Sequence, residues 1–259
     1  MYNKKHFINL TEKLWQISEK FFIFAYRKRK YSLKEIFKAI IYIAKTGCQW
    51  RMLPSEFPKW QLVYYYFQKW LREGLIWEIC ENLRNLIRKK TGKNVSPSVG
   101  IIDSQSVKSG SYGGEYIGFD GGKKINGRKR HVITDTNGLL LAVVVHAANE
   151  YDGKKAFDVI KTLNHFERMQ KIYAYGGYRG DELKEKLKKE LNYDIEITLR
   201  SDKETDFKPL PKRWVVERSL AWFNGYRRLS KDYEKLTETS EAMIMITFIC
   251  LMLNNKIFN

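Results

Sequence analysis

Two acidic residues stand in surroundings that could give them chemical work. Asp103 ends the apolar run Val99-Gly100-Ile101-Ile102 and is followed at once by Ser104-Gln105-Ser106-Val107-Lys108. That pattern reads as a buried strand delivering a carboxylate to its exposed C-terminal end. A carboxylate so placed can bind a hard divalent cation. The plainer alternative is a turn residue, since Asp often closes a strand by bonding neighbouring backbone amides. Glu217 lies in the stretch from Arg213 to Leu229, which fits a helix. At about 100° per residue, Arg213, Glu217, Asn224 and Arg228 fall in one stripe, opposite Val215, Val216, Trp222, Phe223, Tyr226 and Leu229. A solvated Glu/Arg face explains such a stripe. A lone acid among cations, set opposite a strand-end Asp, would instead suit a metal held beside a phosphate-bearing ligand.

The elements that must position these two acids follow from the chain's composition and periodicity. The 259 residues are 44% hydrophobic, enough for one large or two modest domains with a real core. No run reaches the roughly 18 to 20 apolar residues that cross a bilayer, and Met1 to Leu10 lacks the apolar segment of a signal peptide. Cys48, Cys80 and Cys250 are far apart in apolar surroundings. They point to neither zinc nor disulfides, and to a reducing, cytoplasmic compartment.

Charge is the strongest compositional signal. The 47 Lys and Arg against 29 Asp and Glu leave a formal +18. Residues 1–96 hold 20 basic and 7 acidic residues, and residues 97–259 hold 27 and 22. Such an excess calls for a polyanion, most simply nucleic acid, bound through phosphate neutralisation and counterion release. An A+T-rich genome also enriches lysine, so composition alone does not separate the two causes.

Residues 11–92 carry helical periodicity. A first helix is expected through Leu14, Ile17, Phe21, Phe22 and Phe24, running into Arg27-Lys28-Arg29-Lys30. Ser32 with Glu35 forms a capping-box pattern for a second helix, closed by Gly47. The segment from Gln49 to Trp60 is an aromatic turn bracketed by Pro54 and Pro58, followed by helices over about 61–73 and 76–90 with Gly74 between them. Several short helices and a basic balance predict a DNA-binding module of the helix-turn-helix kind, its aromatics serving as core. The polar stretch Thr91 to Pro97 marks the domain boundary, giving an all-α domain over 1–92 and a second domain over 97–259. In that second domain the Asp103 strand leads to a Gly/Ser-rich loop, 109–122. A hairpin follows, 128–135 and 139–146, turned by Asn137-Gly138. Helices over 152–165 and 181–191 alternate with strands over 171–175 and 195–199, and an apolar helix over 240–253 closes the chain. This α/β pattern describes a mixed sheet covered by helices, with sites at strand ends.

These residues resemble a known family, the bacterial insertion-sequence transposases of the Asp-Asp-Glu class. Thr46-Gly47-Cys48-Gln49-Trp50-Arg51-Met52-Leu53-Pro54 resembles their helical N-terminal signature, and Ile102-Asp103-Ser104-Gln105-Ser106-Val107-Lys108 their first aspartate motif. Gly127-Arg128-Lys129-Arg130-His131 resembles the segment entering the second strand, and Arg213 to Arg218 with Arg227-Arg228-Leu229 the glutamate helix. The resemblance covers nearly the whole chain. It implies an RNase H-like catalytic domain behind an all-α DNA-binding domain, and two Mg2+ or Mn2+ ions held by Asp103 and Glu217. The implied activity is cleavage and transfer of double-stranded DNA at an element's terminal inverted repeats, by a homo-oligomer assembled on the DNA in the bacterial cytoplasm. DNA contacts are expected from Arg51, Lys108, Arg128, Lys129, Arg130, Arg213, Arg228 and Lys231.

One position departs from the family pattern. Tyr173-Ala174-Tyr175-Gly176-Gly177-Tyr178 resembles the second acidic motif, where the family has aspartate and this chain has Tyr175. A neutral phenol is a poor and bulky ligand for a hard cation. Asp152 and Asp181 precede and follow the strand that carries Tyr175 without occupying its end. The resemblance therefore implies impaired turnover. It leaves two further readings open: a DNA-binding relative without catalysis, and a nuclease without strand transfer.

Overall fold

Ser32 opens a helix in the way its spacing to Glu35 predicts. The Ser32 hydroxyl accepts from the Glu35 amide at 3.2 Å, and the Glu35 carboxylate accepts from the Ser32 amide at 2.9 Å. The helix, α1 (Leu33–Thr46), stops at Gly47, whose φ of 69° favours glycine and where an added Cβ would come within 3.0 Å of the Arg227 backbone. A single 3₁₀ turn (Trp50–Met52) leads to α2 (Trp60–Arg72), and Gly74 at φ 72° separates it from α3 (Leu75–Lys90). The computed structural model describes residues 15–16, 30–111, 113–198 and 213–254. The expected first helix, with most of its basic cluster, lies outside the described residues apart from Trp15, Gln16 and Lys30.

After α3 the chain alternates as expected. Strands β1 (Val99–Lys108), β2 (Gly118–Asp120), β3 (Ile125–Thr134) and β4 (Leu140–Ala147) precede α4 (Asp152–Lys161). Then come β5 (Lys171–Tyr175), α5 (Asp181–Leu191) and β6 (Asp194–Thr198), followed by α6 (Arg213–Ala221) and α7 (Thr237–Leu253). The six strands form one mixed sheet in the order β2-β3-β1-β5-β6, with β4 also on β3. β1 runs antiparallel to β3 and parallel to β5, and β6 runs parallel to β5. β3 and β4 are joined by the Asn137-Gly138 turn, with Gly138 at φ 83°. This hairpin on one side of β1 and crossover strands on the other make the sheet RNase H-like.

Helices α4 and α5 pack on one face of the sheet through Ile102, Ile133, Ala156, Ile160, Leu183 and Leu187. On the other face lies a larger cluster. It joins α1, α2 and α3 (Ile36, Phe67, Ile79, Leu83) to α7 (Met243, Ile246, Ile249) and to Leu140 and Val143 of β4. The N-terminal helices thus share a continuous core with the sheet and the last helix. Residues 91–97 do separate helices from sheet in sequence, but the apolar surfaces on either side of them merge.

Among the described residues the N-terminal helices are joined by the proline-bracketed segment 47–59 and by residues 73–74 with a left-handed Gly74, while the connection from the expected first helix to α1 lies outside the described residues. Two expectations are corrected. Within the supposed loop 109–122, Gly118–Asp120 pairs with Asn126 and its neighbours as β2. The helix expected from Arg213 to Leu229 ends at Ala221. Asn224 and Gly225 are weak helix formers, and Tyr226 turns to an extended φ of −124° that buries its ring among α1 and α7. Asn224 and Arg228 therefore do not share a helical stripe with Glu217.

Candidate active site

Asp103 sits in the middle of a ten-residue strand rather than at its end. Ser104, Gln105 and Ser106 continue the ladder with β3 opposite His131, Arg130 and Lys129, because small polar residues pair as readily as apolar ones when both strands are long. What ends near Asp103 is the other ladder. The parallel pairing of β1 with β5 stops at Ile101 opposite Tyr173, so with a side-chain period of two the next same-face pair beyond it is Asp103 and Tyr175. The divergence of β1 from β5 gives Asp103 partial exposure.

The helix bearing Glu217 covers that same face. Val215 and Val216 of α6 pack in a small cluster with Ile101, Tyr173 and Tyr175. Two polar contacts fix the helix against the hairpin turn: the Arg218 guanidinium donates to the Asn137 carbonyl at 3.1 Å, and the Ser219 hydroxyl to the Gly138 carbonyl at 3.0 Å. Glu217, next to Val216, is exposed. The sheet face on which Asp103 lies is thus covered by the helix that carries Glu217, Glu217 itself at an exposed position of that helix, and Tyr175 is the last residue of β5. Tyr175 is 6% exposed, its ring forming part of the apolar seat of α6.

Asp152 is committed elsewhere. At the start of α4 it accepts from the Ser104 hydroxyl at 2.9 Å and pairs with the Lys129 ammonium at 2.8 Å. The His131 ring lies 3.7 Å away and accepts from or donates to the Tyr178 hydroxyl at 3.1 Å. Burial, and then the neighbouring His146, hold His131 neutral with its pKa lowered to about 3. Burial, with the charges of Asp103 and Asp152, raises that of Tyr178. Asp181 is exposed on α5, which packs on the face opposite α6.

The residues expected to meet DNA fall into two groups. Arg51, Lys108 and Lys231 are exposed. Arg128 and Arg130, each 1% exposed, Lys129 at 6% and Arg228 at 7% are interior, a correction to the expected surface cations. Arg128 donates to the carbonyls of Glu115, Glu234 and Lys235 and pairs with Asp232 at 3.2 Å. Arg130 donates to the Leu229 carbonyl, and Arg228 pairs with Glu234 at 2.6 Å. Arg128, Lys129 and Arg130 stand in a row in β3, with no apolar residue between them to mark an inner face, and only the fold puts Asp232 against the two arginines. The Arg213 side chain lies outside what is described.

Sequence reasoning missed Asp232 and Asp135. Asp232 also accepts from the Ser240 hydroxyl at 2.6 Å and so ties β3 to α7. Asp135 accepts from the Asn137 and Leu139 amides and forms a buried pair with Arg88 of α3. Its place just before Asn137-Gly138 was a legible turn signal.

Strand order and the helices on the two faces of the sheet together define an RNase H-like domain. The chain belongs to the family described as "Transposase DDE domain", which matches residues 95–253. Residues 10–80 match a second family, "Putative transposase of IS4/5 family". Among characterised relatives, the "Putative transposase for insertion sequence element IS402" of Burkholderia cepacia is 28% identical over 129 residues, a match covering 46% of this chain and 60% of that relative. No solved structure matches. Among the described residues no helix is long and apolar enough to cross a membrane.

Proposed function

We propose that this chain is an insertion-sequence transposase that binds the terminal inverted repeats of its element as a homo-oligomer, in the bacterial cytoplasm and at the nucleoid when DNA-bound. Its strand cleavage and transfer are disabled at one ligand. The observation that carries the reading is Tyr175, the last residue of β5, buried under the helix that carries Glu217 on the strand next to that of Asp103. Support for the DNA partner comes from the family, from the formal +18, and from the exposed Arg51, Lys108 and Lys231.

The family's chemistry uses divalent metal, and the donor set here does not fit a pair of such ions. A two-ion centre needs a carboxylate shared between metals and others flanking them. Asp103 and Glu217 supply two carboxylates, and a phenol at position 175 is a bulky, poor ligand for a hard cation. Among the described residues no group of three or more acidic, His or Cys side chains could hold a metal ion. No catalytic step is therefore assigned to this copy. What its own residues do is hold DNA: the exposed cations meet phosphates, while the buried arginines keep β3, β1 and the segment after α6 in one rigid piece.

Gel retardation with labelled duplexes tests the binding half of the reading. The expected result is a complex with the element's own ends that survives competitor DNA of scrambled sequence. Equal competition by scrambled duplex would contradict it.

A further inference from the structure

Between the Gln49–Tyr64 region and the segment after Arg228 lies an open cleft of about 560 Å3, within the range of ligand sites. Its walls combine flat aromatic rings with cations. Trp50 stacks edge-on to Tyr64 at 5.0 Å, and the Arg51 guanidinium lies over the Trp60 ring at 5.6 Å. Tyr233 at 45% exposure and Lys235 stand on the opposite lip. The acid of the lining, Glu234, is neutralised by Arg228 at 2.6 Å, so the lining keeps a net positive charge from Arg51 and Lys235. An aromatic cleft used only as core would close; here Tyr64 remains 39% exposed and Trp50 and Trp60 are half-buried.

We infer that this cleft takes an unpaired nucleobase of bound DNA, its ring stacked on Trp50 or Trp60 and its phosphates met by Arg51 and Lys235. Flat π-faces bind any base, and cations alongside follow the backbone. The position suits DNA held at Asp103. The Asp232 amide donates to the carbonyl of Lys108 at the end of β1, and Tyr233 to Lys235 follow directly. Five residues of strand separate Lys108 from Asp103, on the order of 16 Å, or about five base steps of duplex. A base extruded near an end would fix the register of that end on the protein. The inference rests on the proposed DNA-binding role and names what the helical half contributes to it.

The test uses the full chain and two duplexes identical except at one site. In one, 2-aminopurine lies opposite an abasic position; in the other it is paired. The unpaired duplex is expected to bind roughly 5- to 150-fold tighter, the range of one base on an aromatic face, with quenching of its emission. Trp60→Leu and Trp50→Leu are expected to abolish the preference while leaving affinity for the paired duplex, and Trp60→Phe to retain part of it. Equal affinity of the native chain for the two duplexes overturns the inference and leaves duplex binding intact. A preference that persists in both leucine variants also overturns it. So does a leucine variant that changes self-association in sedimentation but not base preference, because a second copy then fills the cleft. If neither duplex binds, the proposed function fails. A single-stranded 2-aminopurine oligonucleotide then decides the cleft, with Trp-dependent quenching supporting it and no quenching overturning it.

Discussion

At the scale of single residues, the divergence of β1 from β5 decides what Asp103 can do, and Tyr175 decides what it lacks. Tyr175 is buried in the apolar seat of α6 with Val215 and Val216, where an Asp would offer a carboxylate and less apolar surface. The surface cations divide with equal clarity. Replacing Arg51, Lys108 or Lys231 by Ala is predicted to weaken DNA binding evenly across sequences. Each replacement should reduce the slope of log affinity against log salt by about one for every phosphate no longer neutralised. Arg128→Ala is predicted to act otherwise. It removes the nearer of the two arginines paired with buried Asp232, leaving Arg130 at 4.0 Å, and strips the donor from three carbonyls; the variant is predicted to unfold at lower denaturant than the native chain. The strand of Asp103, the helix start of Glu217 and the strand that ends at Tyr175 were legible in sequence because each has a clear apolar pattern. The interior fate of Arg128 and Arg130 was not, since their partner Asp232 lies a hundred residues downstream and only the packing of β3 against the segment after α6 brings it near.

At the scale of elements, the β3–β4 turn couples the N-terminal helices to the acid-bearing helix. Asp135 holds Arg88 of α3 and the turn amides, and the same turn offers its carbonyls to Arg218 and Ser219 of α6. Asp135→Ala leaves the Arg88 charge buried without its carboxylate and is predicted to cost about 3 to 5 kcal/mol. Two buried groups set opposed pH dependences. Burial lifts Glu241 of α7 to about 7, although its carboxylate accepts from the Val145 amide. The unfolded chain ionises it near its ordinary value of 4.5, so its stability contribution is greatest below that pH and is lost as pH rises through 7. His131, lowered to about 3, behaves in the reverse sense, its contribution complete above 6.5 and lost as pH falls toward 3. Glu241→Gln is therefore predicted to remove a downward slope of up to about 1.4 kcal/mol per pH unit between pH 5 and 7 in urea titrations. An unchanged slope would show that Glu241 is not protonated in the folded protein. Element boundaries were read well where caps and glycines punctuate them, at Ser32, Gly47, Gly74 and Gly138. They failed at 213–229, where tertiary burial of Tyr226 overrides helical periodicity.

At the scale of the whole molecule, the helical half and the sheet half share one apolar interior. Composition placed a boundary at 91–97, because period and charge change there, but no sequence signal shows that α7 packs against α1 and α3. Residues 95–259 expressed alone would expose the face of α7 bearing Met243, Ile246 and Ile249, each burying on the order of 1.5 to 3 kcal/mol in the full chain. Such a fragment is predicted to aggregate or to bind a hydrophobic dye, whereas a monomeric fragment with a cooperative unfolding transition would establish two independent domains. The aromatic cleft is walled by Trp50 and Trp60 from the helical half and by Tyr233 and Lys235 from the second half of the chain, so the two halves meet there as well as in the core.

The central claim is that one side chain separates this chain from an active transposase. The direct measurement is Mg2+-dependent cleavage and joining of labelled DNA carrying the element's own ends, for the native chain and for Tyr175→Asp. The account predicts complexes without product for the native chain and product from the variant, a gain on the order of a hundredfold or more if the restored carboxylate returns several kcal/mol of metal-based stabilisation. Product from the native chain at a rate that Tyr175→Asp does not raise would contradict it.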